Sequence, residues 1–538
     1  MKKSIQLFFL LFLCYGFSQN SLLQSGPMVG YCEMKEAVIW LQAKENASVK
    51  IDYFAIDNPT KVFTSETYNS TKESAFTYHV ILDKLEPGKK YNYTVYINNK
   101  KVILPYETSF SSKKLWQWRE DAPDFMVAFG SCMYINETAL DRPGKPYGSG
   151  YNIFESIANK NPDIMIWGGD NTYLREADWD SKTGIYHRNT HSRSIKELQP
   201  LLAKTQNFAV WDDHEFANDA YKDGAENHTP ATEGSFAARK AAAMQAYHEW
   251  MPIRTGVDKS KIYRSFNFGN LISLHMLDTR SVGRDQQVDI ADLVNPSKQV
   301  TALATLSSPS RQMMGVEQVQ WLQTQMATST ATWQILGQQV LMARIEFPLT
   351  ILQALNPSDT SAQAQAAGQK AIADYLTAKA KQAQSYPLSP TESALLSQPK
   401  LGYNLDAWDG YPAAREIVLA TAAQLKKRLV VLAGDTHNAW HSDLTLLSGQ
   451  KVGEEFATSS VSSPGLEAYL SLPPAQVKAI FEGVVKDLKW MDSSRRGYLK
   501  LTVNANQVQG EWFFIDTITS KSYKVDVALP AEKRTYAA

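Results

Sequence analysis

The chain has 538 residues, with 55 Lys and Arg against 55 Asp and Glu, so its formal net charge is zero. That balance excludes the global attraction by which basic proteins hold nucleic acid or anionic membranes, and no sequence-specific nucleic-acid binding is expected. A hydrophobic content of 44% with 25 Tyr and 13 Trp describes a globular chain with a large core, and the length exceeds the usual size of a single core, so two or more units are expected.

Residues 1–19 begin with Lys2-Lys3, run through an apolar stretch and end in small or polar residues near Ser18 and Gln19. This is the pattern of a secretory signal peptide, too short for a membrane span, and it predicts a secreted or periplasmic protein. Cys14 raises lipid anchoring as an alternative, disfavoured by the bulk of Leu13 before it. Lys2-Lys3 is not a twin-arginine signal. No later run is long and apolar enough to cross a bilayer.

Residues 20–113 read as short alternating strands at 37–42, 48–55, 76–82, 91–97 and 102–110, separated by polar turns, which predicts an antiparallel β-sandwich. Within it, Leu85-Glu-Pro-Gly-Lys-Lys-Tyr91 resembles the tyrosine-corner segment of fibronectin type III-like domains. Structural support is its expected role, with surface or carbohydrate binding as the alternative. A basic and aromatic linker, Lys113 to Arg119, leads into a second unit at 124–538. There strands alternate with helical patterns at 194–204 and 235–250, predicting a layered α/β core. Segment 358–384, rich in Ala, Gln and Lys and stopped by Pro387 and Pro390, predicts an inserted helix. Residues 466–490 read as helical, and 497–503, 509–516 and 523–527 as closing strands.

Four apolar runs in the second unit share one grammar. Residues 124–129 end at Gly130-Ser-Cys132, 163–167 at Gly168-Gly-Asp170 with Tyr173 after it, 206–211 at Asp212-Asp-His-Glu215 with Asn218 close behind, and 428–433 at Gly434-Asp-Thr-His437. Parallel strands place such turns along one edge, so the four clusters can converge. A thiolate, several carboxylates, a phenol oxygen and imidazoles form a mixed donor set that suits an iron-like ion beside an oxygen-loving divalent cation better than a structural zinc.

These motifs resemble the PhoD family of secreted alkaline phosphatases and phosphodiesterases, within the calcineurin-like metallophosphoesterases. Leu277-Asp-Thr-Arg280, Gln338-Gln339, Asp406-Ala-Trp-Asp-Gly-Tyr411 and Ser462-Ser-Pro-Gly465 extend the likeness from about residue 125 to 465, in family order. The resemblance implies an αββα two-sheet sandwich preceded by the β domain. It implies a phosphoesterase in which a metal-activated water attacks a small phosphate ester, with Fe(3+) and Ca(2+) as the ions. It assigns Cys132, Asp170, Tyr173, Asp212, Asp213, Asn218, Asp435 and His437 as metal ligands, Asp170 bridging, and His214 as the catalytic group beside the phosphoryl oxygens. The superfamily's intervening histidine is replaced by Gln338-Gln339, whose amide oxygens favour calcium at the second site.

Each assignment has a plainer alternative: Asp170 capping a turn, Tyr173 as a core tyrosine, Cys132 as a small buried hydrophobe or half of a disulfide with Cys32. Arg280 is a candidate substrate-binding residue, with Arg264 and Arg284 as further candidates, although Arg280 could equally brace Asp278. His187, His191, His228, His248, His275 and His441 lie outside every motif. A monomer is expected. The rival activity is cleavage of phosphodiesters or phospholipids on the same fold, and a binding protein with a vestigial catalytic unit is a more distant rival.

Overall fold

A computed structural model describes residues 22–538, apart from 142–149, 356–360, 469, 471, 518–519, 521–523 and 526–529. The expected signal peptide, Cys14 and most of the strand expected at 523–527 lie outside the described residues. Among the described residues no helix is long and apolar enough to cross a membrane.

Two mixed sheets form the larger unit. One has six strands in the order Gln206–Val210, Ile164–Gly168, Phe125–Gly130, Gly497–Val503, Gln507–Phe514 and Glu532–Ala537. Its first three strands run parallel and the rest antiparallel. The other has seven, in the order Arg264–Phe268, Ile272–Met276, Trp333–Gly337, Arg428–Ala433, Lys451–Ala457, Ala439–Thr445 and Leu488–Asp492. Its parallel centre runs from Ile272–Met276 through Lys451–Ala457.

Side chains alternate across a strand, and here the alternation decides the layering. Along Arg428–Ala433, Val430 and Leu432 join Phe129, Ile166 and Trp512 of the six-stranded sheet in one core. Leu429, Val431 and Ala433 face the other way, toward Leu322, Val418 and Phe481. Those three belong to the helices Val316–Thr328, Pro412–Gln424 and Pro474–Val484. A strand buried on both faces has no polar side to alternate with, which is why these runs are continuously apolar in the sequence.

The first unit is all-β. Strands Leu23–Cys32, Ala37–Ala43 and Thr77–Leu82 form one antiparallel sheet, and Ser48–Ala55 with Lys90–Ile97 centres the other. Both sheets contribute to a shared core of Ile39, Leu41, Val80, Ile51, Tyr53 and Tyr93. The Tyr91 hydroxyl accepts from the Glu86 amide at 2.7 Å, tying the turn back onto the strand. Leu23–Cys32, which carries no strand expectation, docks the unit: Asn207 Nδ2 donates to Val29 O at 3.1 Å, and Gly26 N to Gln199 Oε1 at 2.7 Å. Trp40 Nε1 and Thr77 Oγ1 both reach Glu249, at 2.7 and 2.9 Å. The edge strand Gln206–Val210 is thereby covered, which removes an exposed template for pairing.

Several expectations differ from the structure. The run at 102–110 is not one strand; only Lys100–Lys101 and Ser109–Ser111 pair, because Pro105 interrupts the amide ladder. The helix expected at 194–204 is three pieces: Ser194 ends the helix Lys182–Arg193, a short turn follows at Lys196–Leu198, and Pro200 opens Gln199–Lys204. At 466–490, Pro473-Pro474 delays the helix to Pro474–Val484, and Trp490 lies on a strand paired with His441. The inserted helix is Ala362–Ala383 with Ser361 as its cap, and it buries Ile372, Tyr375 and Ala378 in the helical layer beyond the seven-stranded sheet.

His79, on the strand that docks against the second unit, is pushed down to about 4 by burial, with His248 and Lys259 adding repulsion. Its Nε2 is buried without a partner. Between its ordinary value of 6.5 and about 4, only the unfolded chain takes up the proton. Folding stability should therefore fall as pH drops through that window and be unaffected by this group above it. Melting curves of wild type and His79→Gln should converge on acidification, and parallel curves would refute the assignment.

Candidate metal centre

The carboxyl ends of parallel strands from both sheets meet at one place. Phe125–Gly130, Ile164–Gly168 and Gln206–Val210 deliver Cys132, Asp170 and Asp212, while Arg428–Ala433 delivers Asp435. The sheets are stitched together there: Ser131 bridges Ser460, and Val461 N donates to Ser131 O at 3.0 Å. A Cβ on Gly434 would lie 2.3 Å from Ser131 Oγ, and one on Gly169 would lie 2.5 Å from Asp212 Cβ. Glycine is required at both positions, and at Gly169 a φ of +105° demands it again.

Four of the turn residues, Cys132, Asp170, Asp435 and His437, hold φ between +51° and +63°. Left-handed backbone at residues other than glycine is uncommon and concentrates at functional sites.

The side chains form three overlapping groups, each with potential ligand atoms within 4.8 Å of one another: Cys132, Asp170 and His437; Asp170, Asp213 and His214; and Asp212, Asp213 and Asp435. Tyr173 joins the first group, its hydroxyl 3.1 Å from His437 Nε2. His437 Nδ1 is bonded to Pro464 O, and since a carbonyl only accepts, Nδ1 carries the proton and Nε2 presents its lone pair to the cluster. The Tyr173 hydroxyl accepts in turn from Ser463 Oγ at 2.9 Å. Asn218, by contrast, donates through its carboxamide to Glu226 at 2.9 Å. Cys32 and Cys132 are both free thiols, so the disulfide alternative does not hold.

The electrostatics show what such a cluster lacks. Burial and neighbouring carboxylates push Asp170 and Asp435 well above the usual range; burial also raises Asp212, against the pull of Arg280. Burial raises the Cys132 thiol and the Tyr173 phenol as well, each reinforced by Asp170. His437 is pushed down to about 3 by burial and by Arg496. Asp213 goes the other way: although burial raises it, His214 and Arg280 hold it below the ordinary carboxylate range. The Oδ2 atom of Asp212 is buried with no hydrogen-bond partner. Acids pushed toward protonation and an imidazole held neutral are groups that a bound cation would satisfy, so the donor set fits a metal centre.

Three elements of the site carry no sequence assignment. Glu215 accepts from the backbone amides of Asp170 at 3.1 Å, Asn171 at 2.6 Å and Asp212 at 2.8 Å, locking two ligand-bearing turns to one carboxylate. Asp406 pairs with Arg280 at 2.7 Å and with Arg284, and Ser463 donates to Tyr173. Their motifs stand in the sequence, but nothing there distinguishes a partner of a ligand from a ligand. The phosphate-clamp candidates are occupied: Arg264 bonds the carbonyls of Ile262 and Ala209, Arg284 bonds Asp406 and Thr279 O, and the Arg280 guanidinium reaches Asp212, Asp406 and Asp435. Asp278 is instead braced by the backbone amides of Arg280 and Ser281. The amide oxygens of Gln338 and Gln339, expected to tune the second ion, accept from Trp408 Nε1 at 3.1 Å and Thr279 Oγ1 at 2.8 Å. Both glutamines serve the protein frame.

Glu215→Ala would leave three buried amides unpaired, each costing about 1–3 kcal/mol. Denaturant titration should show a stability loss on the order of 3 kcal/mol or more. Glu215→Gln, which keeps the volume and one acceptor, should lose less, and a Glu215→Gln protein as stable as wild type would show that packing alone holds the turns.

The chain is similar to known proteins over most of its length. The model of a "PhoD-like phosphatase" family matches residues 125–512, and one described as "Domain of unknown function (DUF7800)" matches 20–115. Alkaline phosphatase D of Bacillus subtilis (strain 168) is 28% identical over 505 residues, covering 88% of this chain and 73% of that protein. A solved structure titled "Structure of PhoD" superposes with a TM-score of 0.71 at 22% identity, covering 96% of this chain and 91% of its own, and so shares the fold. The chain belongs to the PhoD-like phosphatase family and is a phosphoric ester hydrolase.

Proposed function

We propose that the chain is an exported phosphatase of the alkaline phosphatase D type that hydrolyses small phosphate esters with two kinds of ion. Iron would be held by Cys132, Asp170, Tyr173 and His437, and calcium by Asp170, Asp212, Asp213 and Asp435, with Asn218 alongside. The observation that carries this reading is Asp170, which belongs both to the group of Cys132 and His437 and to that of Asp213 and His214, while Asp213 belongs in turn to the carboxylate group with Asp212 and Asp435. Thiolate, phenolate and imidazole donors suit a ferric-type ion, and an all-carboxylate group suits calcium. When bound, such a pair draws charge from a phosphoryl group and makes water at the centre a stronger nucleophile.

The chain's own residues supply orientation and proton control. The His214 ring packs against Tyr173 with centroids 4.3 Å apart, and its backbone amide donates to Asp170 at 3.2 Å. Burial lowers the His214 pKa against the opposing pull of Asp213, so its neutral ring offers an N–H to an oxygen gaining charge. The composition of residues 1–19 supports export. The core shared by the two large sheets, with helices on the far face of one, supports an αββα unit at 124–538. The two-sheet core supports a fibronectin type III-like unit at 20–113, acting as a scaffold.

Metal analysis of the purified protein tests the ion pair. Iron with calcium and a visible charge-transfer band is expected, and Tyr173→Phe should shift or bleach the band. A colourless, zinc-only protein with full activity would sink the assignment. His214→Ala should retain both ions and lose about 10²–10⁴-fold in kcat on esters with poor leaving groups. The loss should be smaller on an activated aryl phosphate, and equal losses accompanied by metal loss would make His214 a ligand.

A further inference from the structure

Arg280 carries a second assignment, independent of substrate. Its side chain is fully buried, and its guanidinium touches every member of the carboxylate group: Asp212 at 2.5 Å, Asp435 at 3.5 Å and Asp213 at 3.9 Å. A guanidinium has five N–H donors. Here Nε meets Asp212, Nη1 meets Asp406 at 2.7 Å and Ala220 O at 3.5 Å, and Nη2 meets Asp406 at 2.7 Å and Asp435 at 3.5 Å. No donor points to a place for an incoming phosphate. The tightest contacts, apart from Asp212, are to Asp406, which stands outside the carboxylate group and is itself gripped by Arg284. Asp435 and Asp213 are held more loosely, at distances that leave their oxygens to another cation.

We propose that Arg280 is the resident cation of the carboxylate group: it balances Asp212, Asp213 and Asp435 while the chain folds, before an ion is loaded, and it lowers the group's affinity for that ion. Two physical requirements point the same way. Buried carboxylates that lack a counter-charge are strongly destabilising, and among the described residues Arg280 is the one arginine or lysine that pairs with these three, Arg284 being bonded to Asp406 instead. A fixed positive charge within a few ångströms of a divalent ion opposes its binding, because the interior screens poorly. Asp406 then acts as the anchor that draws part of the Arg280 charge away from the group. The inference rests on the reading of Asp212, Asp213 and Asp435 as a divalent-ion site.

The test compares wild type, Arg280→Gln and Asp406→Asn, each full-length, stripped with chelator and titrated with Ca²⁺ by calorimetry, with melting temperature measured before and after loading. Arg280→Gln should bind Ca²⁺ about tenfold or more tightly than wild type. Its stripped form should be markedly less stable than the stripped wild type, and loading should restore most of the difference. Asp406→Asn, which frees Arg280 toward the group, should bind Ca²⁺ about tenfold or more weakly. Opposite signs in the two variants are the signature, since a merely structural role would weaken both. If the stripped Arg280→Gln protein does not fold, Asp406→Asn still decides: wild-type Ca²⁺ affinity there overturns the proposal. Weakened binding in Arg280→Gln would make Arg280 an orienting group and also overturn it, as would unchanged Ca²⁺ affinity with a raised KM for phosphate ester, the behaviour of a phosphate clamp. Failure of all forms, wild type included, to take up Ca²⁺ would overturn the underlying site reading itself.

Discussion

Everything at the centre depends on how closely the two sheets approach at the carboxyl ends of their parallel strands. The bridge from Ser131 to Ser460 and the amide of Val461 on Ser131 O bring the strand ends within van der Waals contact, with no room for a Cβ at Gly434. A wider gap would scatter the thiol, phenol, carboxylates and imidazole over separate turns. The core behind them, where Val430 and Leu432 meet Phe129 and Trp512, sets that gap. Packing at this density resists even small displacements, so the geometry of the polar centre is inherited from the apolar layer beneath it.

The centre also carries a large imbalance of charge, managed in two ways. Glu215 is surrounded by backbone amides, which spread its charge over three donors and fix the turns that bear Asp170 and Asp212. Asp212, Asp406 and Asp435 are instead drawn around Arg280, with Arg284 behind. Amides make a carboxylate a structural fixture, while a guanidinium leaves part of the carboxylate's coordination open. That difference sets Glu215, which builds the frame, apart from Asp212 and Asp435.

Much of this was legible in the residues. Apolar runs ending at Cys132, Asp170, Asp212 and Asp435 marked strands buried on both faces, and their convergence followed from the parallel arrangement. Less legible was anything that depends on partners distant in sequence. Nothing in Asp406-Ala-Trp-Asp-Gly-Tyr411 says that its first acid grips two arginines more than 120 residues upstream. Gln338 and Gln339 read as potential ligands because an amide oxygen can bind calcium, and only the fold shows those oxygens engaged by Trp408 and Thr279. Strand Leu23–Cys32 was invisible for a related reason: its residues are chosen by the neighbour they dock against, and Gly26, Pro27 and Gly30 mask its strand character.

The left-handed backbone at Asp170 and Asp435 narrows what evolution can place there. Among residues with a side chain, Asn and Asp tolerate that conformation best. Asn satisfies the backbone but forfeits the charge, and Glu keeps the charge but moves its oxygens and strains the turn. The set admitted by conformation and the set admitted by chemistry overlap at a single amino acid. Such positions have no neutral step to a neighbouring sequence, so they should stay fixed while the loops around them diverge.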